Sequence, residues 1–393
     1  MVFQHRIESA LSAHAWNKDK SLLAACPNAN YVAIFKNPHP QDQPQTTNQN
    51  APKQWEKVAL LKEHDALVTD IAWAPNSNKI VTTSQDRNAY VWTLNETHEW
   101  KPELVILRIT AAATCVRWSP DELKFAVGSG ANVVPICYYE SENNFWVSKM
   151  IKDHESTILS VKWHPTAPIV ATASTDMRCR VVSAFFKNLD KKDAETPWGA
   201  PAKFGTILYV FEAQSWVKDV AFSCAGDVLA MAVHNSTLTF VDIAAAAAGN
   251  SGETQTLRLS CLPLSQILFL PDGALVGSGH TMDPVLFCRG SSGWGEAGRL
   301  QASKEAAKEE GGIAATRKMF QSQVATGTGL STGVSSGDAA TLGTVHQFPT
   351  LGLSLFGGLL GGKECEFTTT ALDGKIVGWT RTELESAMQR LSL

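Results

Sequence analysis

Long apolar runs are nearly absent from this chain of 393 residues. The longest, LGLSLFGGLLGG at 351–362, is too short and too glycine-rich to span a bilayer. The N-terminus, MVFQHRIESALSAHAW, carries charge early and lacks an apolar block, so it does not read as a signal peptide. An excess of one charge is also missing. Lys and Arg number 34 against 38 Asp and Glu, a net charge of −4, which argues against nucleic acid as the main ligand. None of the eight cysteines sits in a Cys-x-x-Cys pair, and most lie in apolar, strand-like runs. Buried free thiols in a reducing compartment are the expectation. These absences point to a soluble, cytosolic protein with no membrane insertion.

Catalytic signatures are equally thin. Gly333-Val334-Ser335-Ser336-Gly337 matches Gly-x-Ser-x-Gly, but it lies in a low-complexity tract without the flanking strand and helix that a nucleophile elbow needs. Gly128-Ser129-Gly130 lacks the third glycine of a dinucleotide loop. There is no phosphate loop, no His-Glu-x-x-His and no paired Cys/His metal spacing. No catalytic residue, cofactor or metal site is expected.

What is present is a repeat. IAWAP (71–75), VRWSP (116–120) and VKWHP (161–165) place Trp73, Trp118 and Trp163 at intervals of 45 residues. Trp16, Phe222 and Phe269 occupy weaker copies, HAWNKD, VAFSC and ILFLP. Each anchor is followed by a polar turn, a second apolar run and a third, as in KIVTTS and AYVWTL of the second unit. Val, Thr, Ser and Gly are plentiful and long amphipathic helical patterns scarce, so the units read as strands. A period near 45 residues is that of a four-stranded propeller blade of the WD40 type. EFTTTALDGKIVGWT (366–380) gives the last two strands of a seventh unit, whose first strand is expected within 345–356. Residues 2–9 are the expected donor of its outer strand, closing the ring and removing exposed edges. The prediction is an all-β, single seven-bladed propeller over 1–393.

The second unit is the best formed. His64, Thr82, Asp86 and Trp92 are expected to form a buried hydrogen-bonded brace, since a half-buried Asp needs such partners. His154 and Asp176 repeat the spacing in unit four, where Val182 replaces the Trp, and Asp373 and Trp379 repeat it in unit seven. Pro135 falls in the third strand of blade three, where its missing N–H breaks a ladder unless the strand bulges.

Four segments break the period. Residues 37–53 read as a polar, Pro-rich loop, 187–205 as a loop between blades four and five, and AAAAAGNSG (244–252) as a third loop. The fourth runs from about 290 to 344, between blades six and seven. Within 313–324, Ile313, Arg317, Phe320 and Val324 fall at helical spacing with Met319 beside them. A short apolar helix without a core of its own calls for a partner to bury it.

HAWNKDKSLLAACPN (14–28), DRNAYVWTL (86–94), WKPELVILRI (100–109), CVRWSPDELKFAVGSG (115–130), PWG (197–199) and DPVLF (283–287) resemble the WD40 subunit of the actin-related protein 2/3 complex, essentially end to end. The resemblance implies a non-enzymatic scaffold in an assembly that nucleates branched actin filaments. Its implied partners are actin-related proteins 2 and 3, the small subunits, the actin filament and nucleation-promoting factors. The family's protruding insert is associated with contacts to actin or an activator. By position that role falls on Arg317, Lys318, Met319 and Phe320. The 37–53 loop and the alanine run are longer than the family leads one to expect, and Met319 stands where another charge is expected. The alternative is a WD40 adaptor of another machine, such as a ubiquitin-ligase substrate receptor. Those receptors often end a repeat in Trp-Asp-x-Arg, whereas this chain has Trp92-Thr93-Leu94-Asn95 and Trp379-Thr380-Arg381.

Overall fold

The computed structural model describes residues 3–38, 55–97, 99–191, 195–249, 254–300, 344–360 and 362–389. Among them the chain forms seven antiparallel sheets of four strands each. The inner strands of blades one to six are Ala13–Trp16, Val68–Trp73, Ala113–Trp118, Ile158–Trp163, Val217–Phe222 and Leu264–Phe269. Each of the six anchors is therefore the last residue of its inner strand. Three of the four anchor tryptophans hydrogen-bond across a blade boundary, Trp16 to Thr368 among them, while the Trp73 indole N–H has no partner. Trp118 Nε1 donates to the Ala72 carbonyl at 3.2 Å, and Trp163 Nε1 to the Arg117 carbonyl at 2.9 Å. The repeated phrase is thus a blade-to-blade tie, and the proline beyond it lies in the turn.

Second strands are sandwiched between neighbouring blades on both faces. Every residue of Lys124–Ser129, Ile169–Ser174 and Val228–Val233 is buried. That is why these strands read as continuous runs instead of alternating ones.

The inner strands of blades two to seven share one irregularity. Their pairing with the second strand slips at the second position, skipping Thr69, Thr114, Leu159, Lys218, Ser265 and Leu351. A bulge re-aims the skipped side chain. All six line one cavity of about 500 Å³ at the mouth of the central channel.

Closure is as the sequence suggests. Blade seven comprises Thr350–Leu360, Lys363–Ala371 and Lys375–Trp379, with Phe3–Arg6 as its outer strand. Phe3 pairs Gly378 and Arg6 pairs Lys375. The strap continues over the turn before that third strand, where the Ile7 N–H donates to the Gly374 carbonyl at 3.0 Å. Gly374 has φ +73°, and a Cβ there would lie 1.9 Å from the Glu8 carbonyl oxygen.

Several expectations need correction. Gly293–Arg299 is the outer strand of blade six, so the chain leaves the propeller after Leu300 and not near Gly290. Its glycines disguise a strand whose Trp294 stacks on Phe240 at 4.2 Å. Of the loop expected at 37–53, residues 39–53 lie outside the described residues; the outer strand of blade one, Glu56–Leu61, follows it. Residues 187–205 fall inside blade four, before Ile207–Glu212, and do not separate it from blade five. The alanine run is not wholly a loop: Ile243–Ala247 is helical, with Asp242 accepting from the Ala245 N–H at 3.0 Å. A helix not anticipated, Arg381–Gln389, packs Leu384 and Ala387 against blades six and seven. Pro135 behaves as expected and needs no correction: there is no bulge, and pairing with the second strand stops at Ile136, while pairing with the outer strand runs unbroken from Val134 to Glu140.

Candidate functional site

In blade two the predicted four residues meet. Trp92 Nε1 donates to Thr82 Oγ1 at 3.0 Å, Thr82 Oγ1 lies 2.8 Å from His64 Nε2, and His64 Nδ1 lies 2.7 Å from Asp86 Oδ2. An indole N–H can only donate and a carboxylate can only accept. The chain of donation therefore runs Trp92, Thr82, His64, Asp86, with a neutral imidazole protonated at Nδ1. Burial, opposed by Asp86, holds the His64 pKa below its ordinary value, which agrees with that tautomer. Asp86 also accepts from the Asp65 N–H at 3.2 Å and the Asn88 N–H at 2.9 Å, fixing both flanking turns.

Blade seven repeats the set. Trp379 Nε1 donates to Thr369 Oγ1 at 3.0 Å, Thr369 lies 2.9 Å from His346 Nε2, and His346 Nδ1 lies 3.2 Å from Asp373. Asp373 and Trp379 were predicted; His346 and Thr369 were not. Thr369 lies ten residues before Trp379, as Thr82 does before Trp92, so spacing could have found it. His346 lies 27 residues before Asp373, against 22 in blade two, because the long first hairpin carries two irregularities.

Blade four is a variant. His154 Nε2 lies 2.8 Å from Thr172 Oγ1, but His154 Nδ1 has no partner. Asp176 is held instead by Arg180 Nη1 at 2.7 Å, both side chains nearly sealed from solvent. With Val182 in place of the Trp, Thr172 Oγ1 donates to the Arg180 carbonyl at 3.3 Å. The hydroxyl proton is thus committed, and the imidazole must donate from Nε2, opposite to blade two. Burial, then the Arg180 charge, pushes the His154 pKa down to about 4, with Asp176 opposing.

Blade one has its own device, not anticipated. His14 sits between Thr368 (3.0 Å) and Thr370 (2.9 Å) of blade seven, and Trp16 Nε1 donates to Thr368 at 3.0 Å. Burial, then the Arg117 and His346 charges, holds the His14 pKa down at about 3.

Charged groups also converge on the channel. Asp70 of blade two accepts from the Val116 N–H and Arg117 Nη1 of blade three at 2.9 and 2.5 Å. Asp219 of blade five accepts from the Ile267 N–H of blade six at 2.8 Å and from Ser160 of blade four at 2.5 Å. These are ties between blades. Among the described residues no group of three or more His, Cys, Asp or Glu is placed to hold a metal. All eight cysteines are free, and burial pushes the Cys115 thiol up to about 11 and those of Cys179 and Cys365 to about 12. Arg317, Lys318, Met319 and Phe320, the expected helix at 313–324 and the Gly-x-Ser-x-Gly stretch lie outside the described residues.

Seven four-stranded blades, two of them braced by a complete His–Thr–Asp–Trp set, define the WD40-repeat propeller class. A "WD domain, G-beta repeat" family description matches residues 55–93 and 146–183. The chain is 40% identical to actin-related protein 2/3 complex subunit 1B of Arabidopsis thaliana, over 100% of its length and 98% of that protein. It is 39% identical to subunit 1A-B of Xenopus laevis, over 98% of its length and 97% of the relative's. Against subunit 1 of Schizosaccharomyces pombe the identity is 36%, covering 93% and 96%. The chain belongs to the actin-related protein 2/3 complex subunit 1 family.

Proposed function

We propose that this protein is the propeller subunit of an actin-related protein 2/3 complex, acting there as a non-enzymatic scaffold. The observation that carries the reading is the end-to-end similarity to proteins of that name, which takes in nearly the whole of each relative. The braces fit a scaffold role. His64 and His346 have both ring nitrogens engaged within the protein, which leaves neither free for proton transfer to a substrate. In this reading the protein resides in the cytoplasm with the actin cytoskeleton, and its partners are the two actin-related proteins and the small subunits. Arg317, Lys318, Met319 and Phe320 contact actin or an activator, since a phenylalanine flanked by cations suits an acidic, partly apolar groove.

Affinity purification of the tagged chain is expected to recover both actin-related proteins in stoichiometric amount. Recovery of a cullin adaptor without either one would replace this reading with that of a ubiquitin-ligase receptor. The double substitution Arg317→Ala, Phe320→Ala is expected to leave assembly intact and slow branching in a pyrene-actin assay. Unchanged branching would remove the insert from the mechanism.

A further inference from the structure

The mouth of the central channel holds more positive charge than the ties between blades use. All seven blades contribute to the cavity of about 500 Å³ there, from Ser12 of blade one to Leu351 of blade seven. Of its lining residues only Asp70 and Asp219 are acidic. Both oxygens of each are engaged. Asp70 Oδ1 accepts from the Ile71 N–H at 2.9 Å, and Oδ2 from the Val116 N–H and Arg117. Asp219 Oδ1 accepts from Ser160, and Oδ2 from the Ile267 N–H. Against these two stand three cations. Lys218 occupies the bulge of blade five, and Arg117 lines the cavity from blade three. Lys162 of blade four directly precedes Trp163, as Arg117 directly precedes Trp118. The two-residue period of a strand puts Lys162 on the face of Ser160, which lines the cavity. Lys162 and Arg117 are therefore neighbours on adjacent inner strands.

The hydrogen-bonding capacity left over is mostly that of donors. Arg117 uses only Nη1, on Asp70 and the Val116 carbonyl, both at 2.5 Å. Among the described residues, Lys162 and Lys218 make neither a hydrogen bond nor a salt bridge. Burial, opposed by Asp219, holds the Lys162 pKa below its ordinary value, so the chain does not fully compensate this ammonium. The Gln266 amide, at the register position of blade six that Asp219 holds in blade five, is also unpartnered, with Oε1 buried. A half-turn of the amide presents either its oxygen or its nitrogen to the cavity. Buried polar groups without partners beside unpaired cations mark a site for something the chain itself does not supply.

We propose that the channel mouth binds a small organic monocarboxylate bearing a hydroxyl group. The carboxylate bridges the Lys162 ammonium and the unused Nη2 of Arg117, and the hydroxyl meets the Gln266 amide. Lys218 faces the ligand from the entrance. Three cations and two carboxylates leave one positive charge, which a single carboxylate balances; a phosphate dianion would bring one negative charge too many. All four residues stand on inner strands already tied through Asp70 and Asp219, so a ligand loses little to ordering the protein.

The test uses the full chain. The probe is 4-hydroxybutyrate, with butyrate as its counterpart lacking the hydroxyl, read by ligand-observed saturation-transfer NMR titration. Saturable binding is expected, about fivefold tighter for 4-hydroxybutyrate. Lys162→Met is expected to weaken both at least roughly tenfold. Its melting temperature should hold or rise, because the change removes a half-buried charge without a partner. Lys218→Met, nearer to solvent, gives a second reading, about threefold weaker binding. Gln266→Leu is expected to leave butyrate binding unchanged and abolish the preference for the hydroxylated acid. No saturable binding, equal binding by Lys162→Met, or equal affinity for the two acids would overturn the proposal. So would tighter binding of glycerol 3-phosphate, which would make this a phosphate site, or of agmatine, which would make it a cation site.

Discussion

Thr82 Oγ1 is a single atom joining a donor to an acceptor: it accepts from Trp92 and gives its proton to His64. Thr82→Val keeps the shape but strands the indole N–H and the imidazole nitrogen, both buried. The expected cost is about 2–3 kcal/mol, read as a lower midpoint in denaturant. The two most strongly depressed histidines have a pH consequence. His14 and His154 remain neutral in the folded protein down to about 3 and about 4, whereas the unfolded chain binds their protons near 6.5. The unfolded state therefore holds more protons between those values, and stability is complete above pH 6.5 and falls as pH drops toward 4. The expected slope is on the order of 1.4 kcal/mol per pH unit for each histidine. Denaturant midpoints at pH 7.5, 6 and 5 check it, and His154→Gln should flatten the curve. The brace in blade two was legible because spacing alone places its members. Arg180 was not, since an arginine in a strand pattern reads as solvent-facing until Asp176 is known to be sealed beside it.

Elements were legible wherever burial on both faces left a simple pattern, and obscure where a local bond decides. The helix Arg381–Gln389 did have a signal: Thr380 and Glu383 match a capping box, and the Thr380 N–H donates to Glu383 at 3.0 Å. The strand Gly293–Arg299 had little, because glycine weakens strand propensity and only Trp294 marks its packing. The segment between the third and outer strands of blade four depends on Lys124 and Asp190, 66 residues apart, a pairing no local pattern reports. Its energetics are testable. Lys124→Met leaves a buried carboxylate without its cation, at an expected cost of about 3–5 kcal/mol. Adding Asp190→Leu should recover most of that loss in thermal unfolding. A double variant as unstable as the single would mean the segment is held by other contacts.

The whole molecule is a ring whose integrity rests on four residues. Phe3–Arg6 covers the edge of Lys375–Trp379, and Glu8 pairs with Lys57 of blade one across the seam. Trp55 wedges beside it, 6.3 Å from His5 and 6.0 Å from Trp16. Deleting residues 1–6 uncovers that edge and is expected to lower stability by about 2–4 kcal/mol. Light scattering should show association of the truncated chain, because an open edge pairs with another copy. A monomer of unchanged stability would assign closure to the side-chain contacts alone.

The same seam sets an order of events in the cell. Phe3–Arg6 is paired with Lys375–Trp379, made about 370 residues later. At ordinary synthesis rates of about 5–20 residues per second, Phe3–Arg6 waits roughly 20–80 s for its neighbour. For that interval six blades exist without their seventh, and the faces of blades one and six that it covers are open to water. His14 then lacks Thr368 and Thr370. The making of those two hydrogen bonds across the seam marks the moment at which the chain becomes a finished ring.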